Sequence, residues 1–364
     1  LSAASETSAT LAETRNHIMK RVLPSVCLAL LPLLFSGCYL MKQGAALLRY
    51  QRRAEDIESV LQNRELDPDV RSMLEETRTI KHYAAEELHL NRDENYTRYV
   101  HTDREYLVSV VSACKKTAFE PHTWSFPFFG SFPYKGYYHR EDAEKEADRL
   151  REKGYDVLVR KVDAFSTLGY FKDPMYTFMK DYSSYALASL IIHEQTHATI
   201  FLKDQVQFNE ELATFVGEKG ALAYLRENYG EDSAPYRYAI EYEQDLTNFY
   251  NLIRILYRQL DDLYAQELDR KTTLERKARI IEEFTTELQQ HYHLYFSTDR
   301  FKTMVDIPVN NAYIMTIVRY TKDLSLFNDL YEMMNRDIRK TIEVIKPVEE
   351  YPGPPKEYLR ELTR

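Results

Sequence analysis

Two histidines four residues apart, with a glutamate directly after the first, stand in the stretch "SLIIHEQTHATIF". On a helix, positions i and i+4 share one face, so His193 and His197 can present both imidazoles to a single metal ion. Glu194 is then placed to take a proton from water that the ion activates. The preceding residues "YALASLII" are apolar and helix-compatible. The pair therefore rides on a buried helix, where two imidazoles without a partner would be costly. After a polar break at 203–207, "FNEELATFVGEKGAL" reads as a second helix with Asn209, Glu210 and Glu211 near its start. A carboxylate from that helix would complete three protein ligands, and a His, His, Glu set leaves zinc a fourth, open position.

The elements that must hold these residues follow from periodicity and punctuation. Residues 42–116 carry helical spacing through "QRRAEDIESVLQNREL" and "DPDVRSMLEETRTIKHYAAEEL", with Asp67 as a cap and Pro68 as the first helical residue. "VHTDREYLVSVVSACKKTAF" turns β-branched and aromatic, which predicts a strand or two. "EPHTWSFPFFGSFPYKGYY" reads as a Pro- and Gly-rich loop with an apolar face, suited to one wall of a cleft. "REDAEKEADRLREKGYDVLVRKVDAF" reads as a helix, a Gly154 C-cap and a strand. That strand, just ahead of the metal helix, is an edge against which an extended peptide can pair.

From Pro235 to Pro308 there is neither Gly nor Pro. Tyr242, Leu246, Phe249, Ile253, Leu256, Leu260 and Leu263 form one heptad stripe, and Leu274, Ala278, Ile281, Thr285, Leu288, Tyr292 and Tyr295 a second. They predict a helical hairpin over about 236–298 that bends at "DRKTT". The fold class expected is α+β, predominantly α, with a small sheet and this long hairpin.

With 364 residues and 44% hydrophobic composition the chain can bury a sizeable core, and 48 Lys+Arg against 57 Asp+Glu argue against a nucleic-acid partner. "MKRVLPSVCLALLPLLFSGC" has a basic start, an apolar run and small residues before Cys38, the layout of a secretory signal. "FSGC" resembles the lipobox of bacterial lipoproteins, with Phe35 in place of the usual Leu. The expectation is a signal peptide at 19–37 that starts at Met19, an upstream extension at 1–18 foreign to the protein, and a lipid on Cys38. The mature protein would then be anchored to a membrane of the bacterial cell envelope, facing the periplasm. Cys27 leaves with the signal and Cys114 remains alone, read as a small buried hydrophobe.

The motifs "VDAFSTLGYFKDP", "IIHEQTHATIF", "FNEELATFVGEKGA" and "VNNAYI", in that order, resemble a bacterial family of predicted aminopeptidases. Many of its members are lipoproteins, and their metal motif is of the gluzincin type. The resemblance covers most of the chain after Cys38. It implies a zincin-like core within 38–364, a zinc cofactor, a peptide substrate and peptidase chemistry. By motif it assigns His193, His197 and Glu210 as zinc ligands and Glu194 as general base. Glu210 is preferred to Glu211 because gluzincins often place the ligand glutamate directly after an asparagine. Thr214 stands where such proteins often carry an acid, so a carboxylate behind the imidazoles must come from Glu211, Asp181 or elsewhere, or be missing.

An exopeptidase also needs an acid to hold the free amine of its substrate. The GxMEN motif that supplies it in one large gluzincin group is absent, and "STLGYF" is followed by no carboxylate before Asp173, so exo- and endopeptidase readings stay open. Asn310, Asn311, Tyr320, Gly169 and Tyr170 are candidates to orient substrate or stabilise an oxyanion. For the asparagine pair, helix capping is an equal reading. The alternative for the whole chain is an envelope lipoprotein whose hairpin binds a protein partner and whose metal site is not catalytic. Glu194 weighs against it, because a closed structural site takes four protein ligands and has no use for a base.

Overall fold

The computed structural model describes residues 39–364 except 40, 127–129, 164–171 and 321–322, and excludes the side chains of 303–306, 319 and 320. The expectations for 1–18, 19–37 and Cys38 lie outside these residues.

A first helix, α1, spans 41–53 and leads into a short strand, β1 (Glu55–Asp56). Asp56 then caps α2 (Ile57–Leu61), and Asp67 caps α3 (Pro68–Glu86) by accepting from the Asp69 and Val70 amides, with Pro68 in the first turn. Val70, Met73, Leu74, Thr77, Ile80, Tyr83 and Ala84 form the buried face of α3, recurring at the helical period. A strand β2 (Arg98–Val100) pairs antiparallel with β1.

Next comes β3 (Val108–Lys115), buried through Cys114 because both faces of its sheet are covered. The segment expected as a loop folds instead into a small ribbon of β4 (Trp124–Phe126) and β5 (Gly130–Phe132), followed by β6 (Lys135–Tyr137). Helix α4 (Arg140–Glu152) ends at Gly154 with φ +83°, and β7 (Tyr155–Val162) runs back antiparallel to β3 from Lys115↔Tyr155 to Val108↔Val162. The sheet order is β6-β3-β7, which leaves β7 at an edge. Ala143, Ala147 and Leu150 of α4 cover one face through Val111, Ala113 and Val157.

A two-residue strand β8 (Met175–Tyr176) pairs parallel with β2 and leads through a 3₁₀ turn at Thr177–Asp181 into α5 (Ser184–Thr199). Helices α6 (Val206–Tyr229), α7 (Ala234–Tyr264) and α8 (Arg270–Tyr295) follow. The chain closes with α9 (Asn311–Tyr320), α10 (Ser325–Met333), α11 (Ile338–Ile345) and α12 (Pro355–Leu362). The molecule is α+β and predominantly helical. No described helix is long and apolar enough to cross a membrane.

Helices α7 and α8 form the expected hairpin. Phe249, Ile253, Leu256, Leu260 and Leu263 bury themselves with Leu288 and Tyr292 in a cluster that also takes in Tyr313 and Ile314 of α9. Two details differ from expectation. The bend lies at 265–269, and "DRKTT" opens α8, because the Asp269 carboxylate accepts from the Lys271 and Thr272 amides as a helix cap. The second stripe also divides: Ala278 is exposed, while Thr273 and Lys277 turn inward. Lys277 reaches the sheet, donating to the Asp156 carboxylate on β7 and to the Lys116 carbonyl at 3.0 Å.

Candidate metal centre

Helix α5 begins where the Ser183 hydroxyl accepts from the Ala186 amide at 3.2 Å. Tyr185, Leu187, Ala188, Ile191, Ile192, Gln195 and Thr196 are its buried positions. Burial of that face leaves His193 and His197, one turn apart, on the side that meets α6. The chain turns at 200–205, passing through Asp204 at φ +62°. Asn209 fixes this turn: its amide donates to the Leu202 carbonyl at 2.8 Å and its oxygen accepts from the Leu202 amide at 3.0 Å. Buried and doubly bonded, Asn209 sets the first turn of α6 and with it the direction of the next residue, Glu210.

Two glycines bring α6 close enough. A Cβ at Gly217 would lie 2.8 Å from the Ser189 carbonyl oxygen and 3.2 Å from the His193 Cβ; one at Gly220 would lie 3.0 Å from methyl carbons of Ile192 and Leu88. Both helices run within backbone contact beneath the histidines.

The result is a convergent set of three donors. His193 Nε2 and His197 Nε2 are 3.1 Å apart, Glu210 Oε1 is 3.4 Å from His197 Nε2, and Glu210 Oε2 is 3.9 Å from His193 Nε2. Tetrahedral ligands at zinc bond lengths are roughly 3.3 Å from one another, so these donors fit a single ion with small adjustments. The imidazoles are about four-fifths buried, while half of the Glu210 side chain faces solvent, so a small molecule can reach the point of convergence. Beside it, burial pushes the Glu194 carboxyl up to about 7 against the pull of His197, and Asp173, Glu210 and Asp93 add to the rise. A carboxyl so placed exchanges protons near neutrality.

A family model described as "Putative aminopeptidase" matches residues 38–358. The chain belongs to this aminopeptidase family. No curated protein and no solved structure matches it. Membership suggests peptidase activity, for which a peptide is a plausible substrate.

Set against this family assignment, the residues singled out in the sequence divide. His193, His197, Glu194 and Glu210 come together at one place. Glu211 turns away: it is fully buried, accepts from the Gln207 amide at 2.9 Å and pairs with Lys356 of α12 at 2.8 Å. Asp181 is exposed at the end of the 3₁₀ turn. Neither therefore stands behind the imidazoles, and His197 Nδ1 is buried without a hydrogen-bond partner among the described residues.

Of the two readings kept for Asn310 and Asn311, the hydrogen bonds fit the capping one. Asn310 caps α9, accepting from the Tyr313 amide at 3.0 Å, and donates to the Val157 carbonyl of β7 at 3.1 Å. The Asn311 side chain donates to the Lys115 carbonyl at 2.9 Å and accepts from the Tyr264 hydroxyl at 2.8 Å. Both amides join hairpin, α9 and sheet. Gly169, Tyr170 and the Tyr320 side chain lie outside the described residues. Sequence reasoning passed over Gly217 and Gly220, although two glycines three apart inside a helical pattern signal a close helix approach.

Proposed function

We propose that this protein is a zinc-dependent aminopeptidase, with His193, His197 and Glu210 as metal ligands and Glu194 as the acid/base. The observation that carries the reading is the convergence of two imidazoles and one carboxylate, open on one side, beside a buried carboxyl. Two imidazoles and a carboxylate suit zinc, and metal analysis decides among the divalent ions that share such donors. Zinc bound there would supply Lewis-acid chemistry, polarising the scissile carbonyl and acidifying water.

The chain's own contribution is proton traffic and position. Glu194 takes a proton from the attacking water and returns it to the leaving nitrogen, a cycle suited to a carboxyl that burial holds ready to accept and give. Beyond the Asn310 contact to the Val157 carbonyl, the edge strand β7 offers backbone groups along which an extended peptide can lie. Purified protein should contain one zinc per chain and cleave peptides. Chelation should abolish cleavage and added zinc restore it; zinc-free protein that cleaves equally well would refute the reading.

We also infer a lipid anchor at Cys38 that tethers the enzyme to a membrane of the cell envelope, facing the periplasm. The support is the signal-like run ending in "FSGC" and a family match that starts at residue 38. Mass spectrometry of membrane fractions should find an acylated Cys38 at the N-terminus, and a mature form retaining Met19 would exclude it.

A further inference from the structure

Resting on the peptidase reading, we propose that Asp173, with the Tyr96 hydroxyl beside it, holds the free α-ammonium group of the substrate in a corner of the cleft next to Glu194.

The corner is built. The segment 91–96 is fastened to the end of the metal helix: the Asn91 amide donates to Thr199 Oγ1 at 2.8 Å, and its side chain to the Ala198 carbonyl at 3.1 Å. Lys81 secures the middle of the segment, donating to Asp93 Oδ1 and to the Asn95 carbonyl, both at 2.6 Å. The end of the segment grips Asp173 on both sides of its backbone. Asn95 Oδ1 accepts from the Asp173 amide at 3.0 Å, and the Tyr96 amide donates to the Asp173 carbonyl at 2.7 Å. Tyr96 pays for this placement with a left-handed backbone, φ +55°.

Two polar groups in this corner make no side-chain hydrogen bond among the described residues. The Tyr96 side chain is 2% exposed, yet its hydroxyl makes no hydrogen bond among the described residues. Burial, then the fields of Glu194 and Asp173, push that phenol well above its ordinary range, which places its hydroxyl in the same negative pocket. The Asp173 carboxylate likewise has no cation and no donor among the described residues, whereas neighbouring Asp93 is taken by Lys81 and Asn95. Burial and the Asp93 charge push Asp173 up to about 6. An ammonium group supplies the charge and the N–H donors that this partly buried carboxylate and the neighbouring hydroxyl lack among the described residues. An N-acylated peptide brings no charge and would leave Asp173 unpaired. The corner therefore selects substrates with a free N-terminus.

The test compares a peptide with its N-acetylated twin on the zinc-loaded enzyme. Asp173→Asn should raise KM for the free-amine peptide roughly 10- to 100-fold, with a smaller change in kcat, and leave the N-acetyl peptide unaffected. Zinc content should be unchanged, and Tyr96→Phe should give a smaller shift in the same direction. A second arm needs no turnover: alanine amide should bind the wild type at least about tenfold more tightly than N-acetylalanine amide, and Asp173→Asn should erase the difference. Equal binding of the two amides by the wild type, or an unchanged preference in Asp173→Asn, overturns the proposal. A wild type that holds zinc and prefers blocked peptides overturns it while sparing the peptidase reading. Failure to hold zinc or to cleave any peptide overturns that reading instead, and the binding arm still decides the role of Asp173.

Discussion

At the level of single residues, Glu194 and the three donors beside it should fail in different ways. Glu194→Gln keeps shape and removes a proton carrier, so zinc should remain while turnover falls about a hundredfold or more. His193→Ala, His197→Ala or Glu210→Ala should lose zinc together with activity, because each removes one of the three proposed ligands. Zinc analysis beside kinetics separates the two patterns. The histidines and Glu194 were legible because helical spacing alone puts them together. Glu210 was chosen by its "NE" context, and the structure gives that asparagine a task, the double bond to Leu202 that aims the next residue. Tyr96 and Asp173 could not be paired from the sequence. Strand β2 meets β8 in parallel at Tyr99↔Met175, and only that pairing brings them side by side. Asp173 also yields a prediction about stability. Its carboxyl titrates at about 6 in the folded protein against an ordinary 3.8, so the native state holds the proton more tightly. The contribution of this one carboxyl to stability is therefore full below about pH 4 and is lost as pH rises to about 6, on the order of 3 kcal/mol. Asp173→Asn should raise the unfolding free energy of ligand-free protein by about 2–3 kcal/mol near about pH 7.5 and change it little near about pH 4. A variant that is equally or less stable at both values would show that the carboxylate is not strained.

At the level of elements, the metal centre depends on how closely α5 and α6 approach. An alanine inside a helix is ordinarily about 1 kcal/mol better than glycine. Gly217 should reverse this, because a methyl there meets the Ser189 carbonyl at 2.8 Å, and backbone cannot step aside as a side chain can. Gly217→Ala should force α6 away from α5 and carry Glu210 off the histidines, weakening zinc affinity about tenfold or more even if the protein stays folded. Competitive titration with a chelator measures this, and wild-type affinity in Gly217→Ala would refute the close-packing argument. The helices themselves were legible from apolar periodicity and caps, as at Asp67. The hairpin bend was misplaced because a polar first turn and a polar loop look alike until the Asp269 carboxylate is seen to cap the helix. The short β4–β5 ribbon was missed because Pro and Gly dominate its composition and its cross-strand pairs, such as Trp124↔Phe132, are visible only in three dimensions.

At the level of the whole molecule, α5 and α6 belong to one apolar cluster and most of the hairpin to another, with Tyr236, Ala239 and Tyr242 at the start of α7 packing into the first. Polar ties add to this join. Near the site, Lys219 of α6 donates to Glu243 of α7 at 2.8 Å, and the Tyr185 hydroxyl of α5 donates to the same carboxylate at 2.9 Å. Far from it, the hairpin is fixed to the sheet by Lys277 and Asp156, with Lys277 7% and Asp156 12% exposed. Burial lowers the Lys277 ammonium below its usual range against the pull of Asp156, and the Asp156 carboxylate and the Lys116 carbonyl accept its hydrogen bonds. Asp156 also accepts from the Asn311 amide at 3.0 Å, so one carboxylate holds α8, α9 and β7 together. Removing one partner of such a pair strands the other charge, whereas an apolar replacement at least fills the space. Lys277→Ala should therefore cost about 3–5 kcal/mol in chemical denaturation, because Asp156 is left buried without its cation over an empty cavity. The double variant Lys277→Met with Asp156→Asn should recover most of that loss, since it removes both charges and keeps the volume. The folded variants should bind zinc as the wild type does, because the three donors sit on α5 and α6, which this joint does not hold. Equal destabilisation in the single and double variants would mean that packing, and not the stranded charge, sets the strength of this joint.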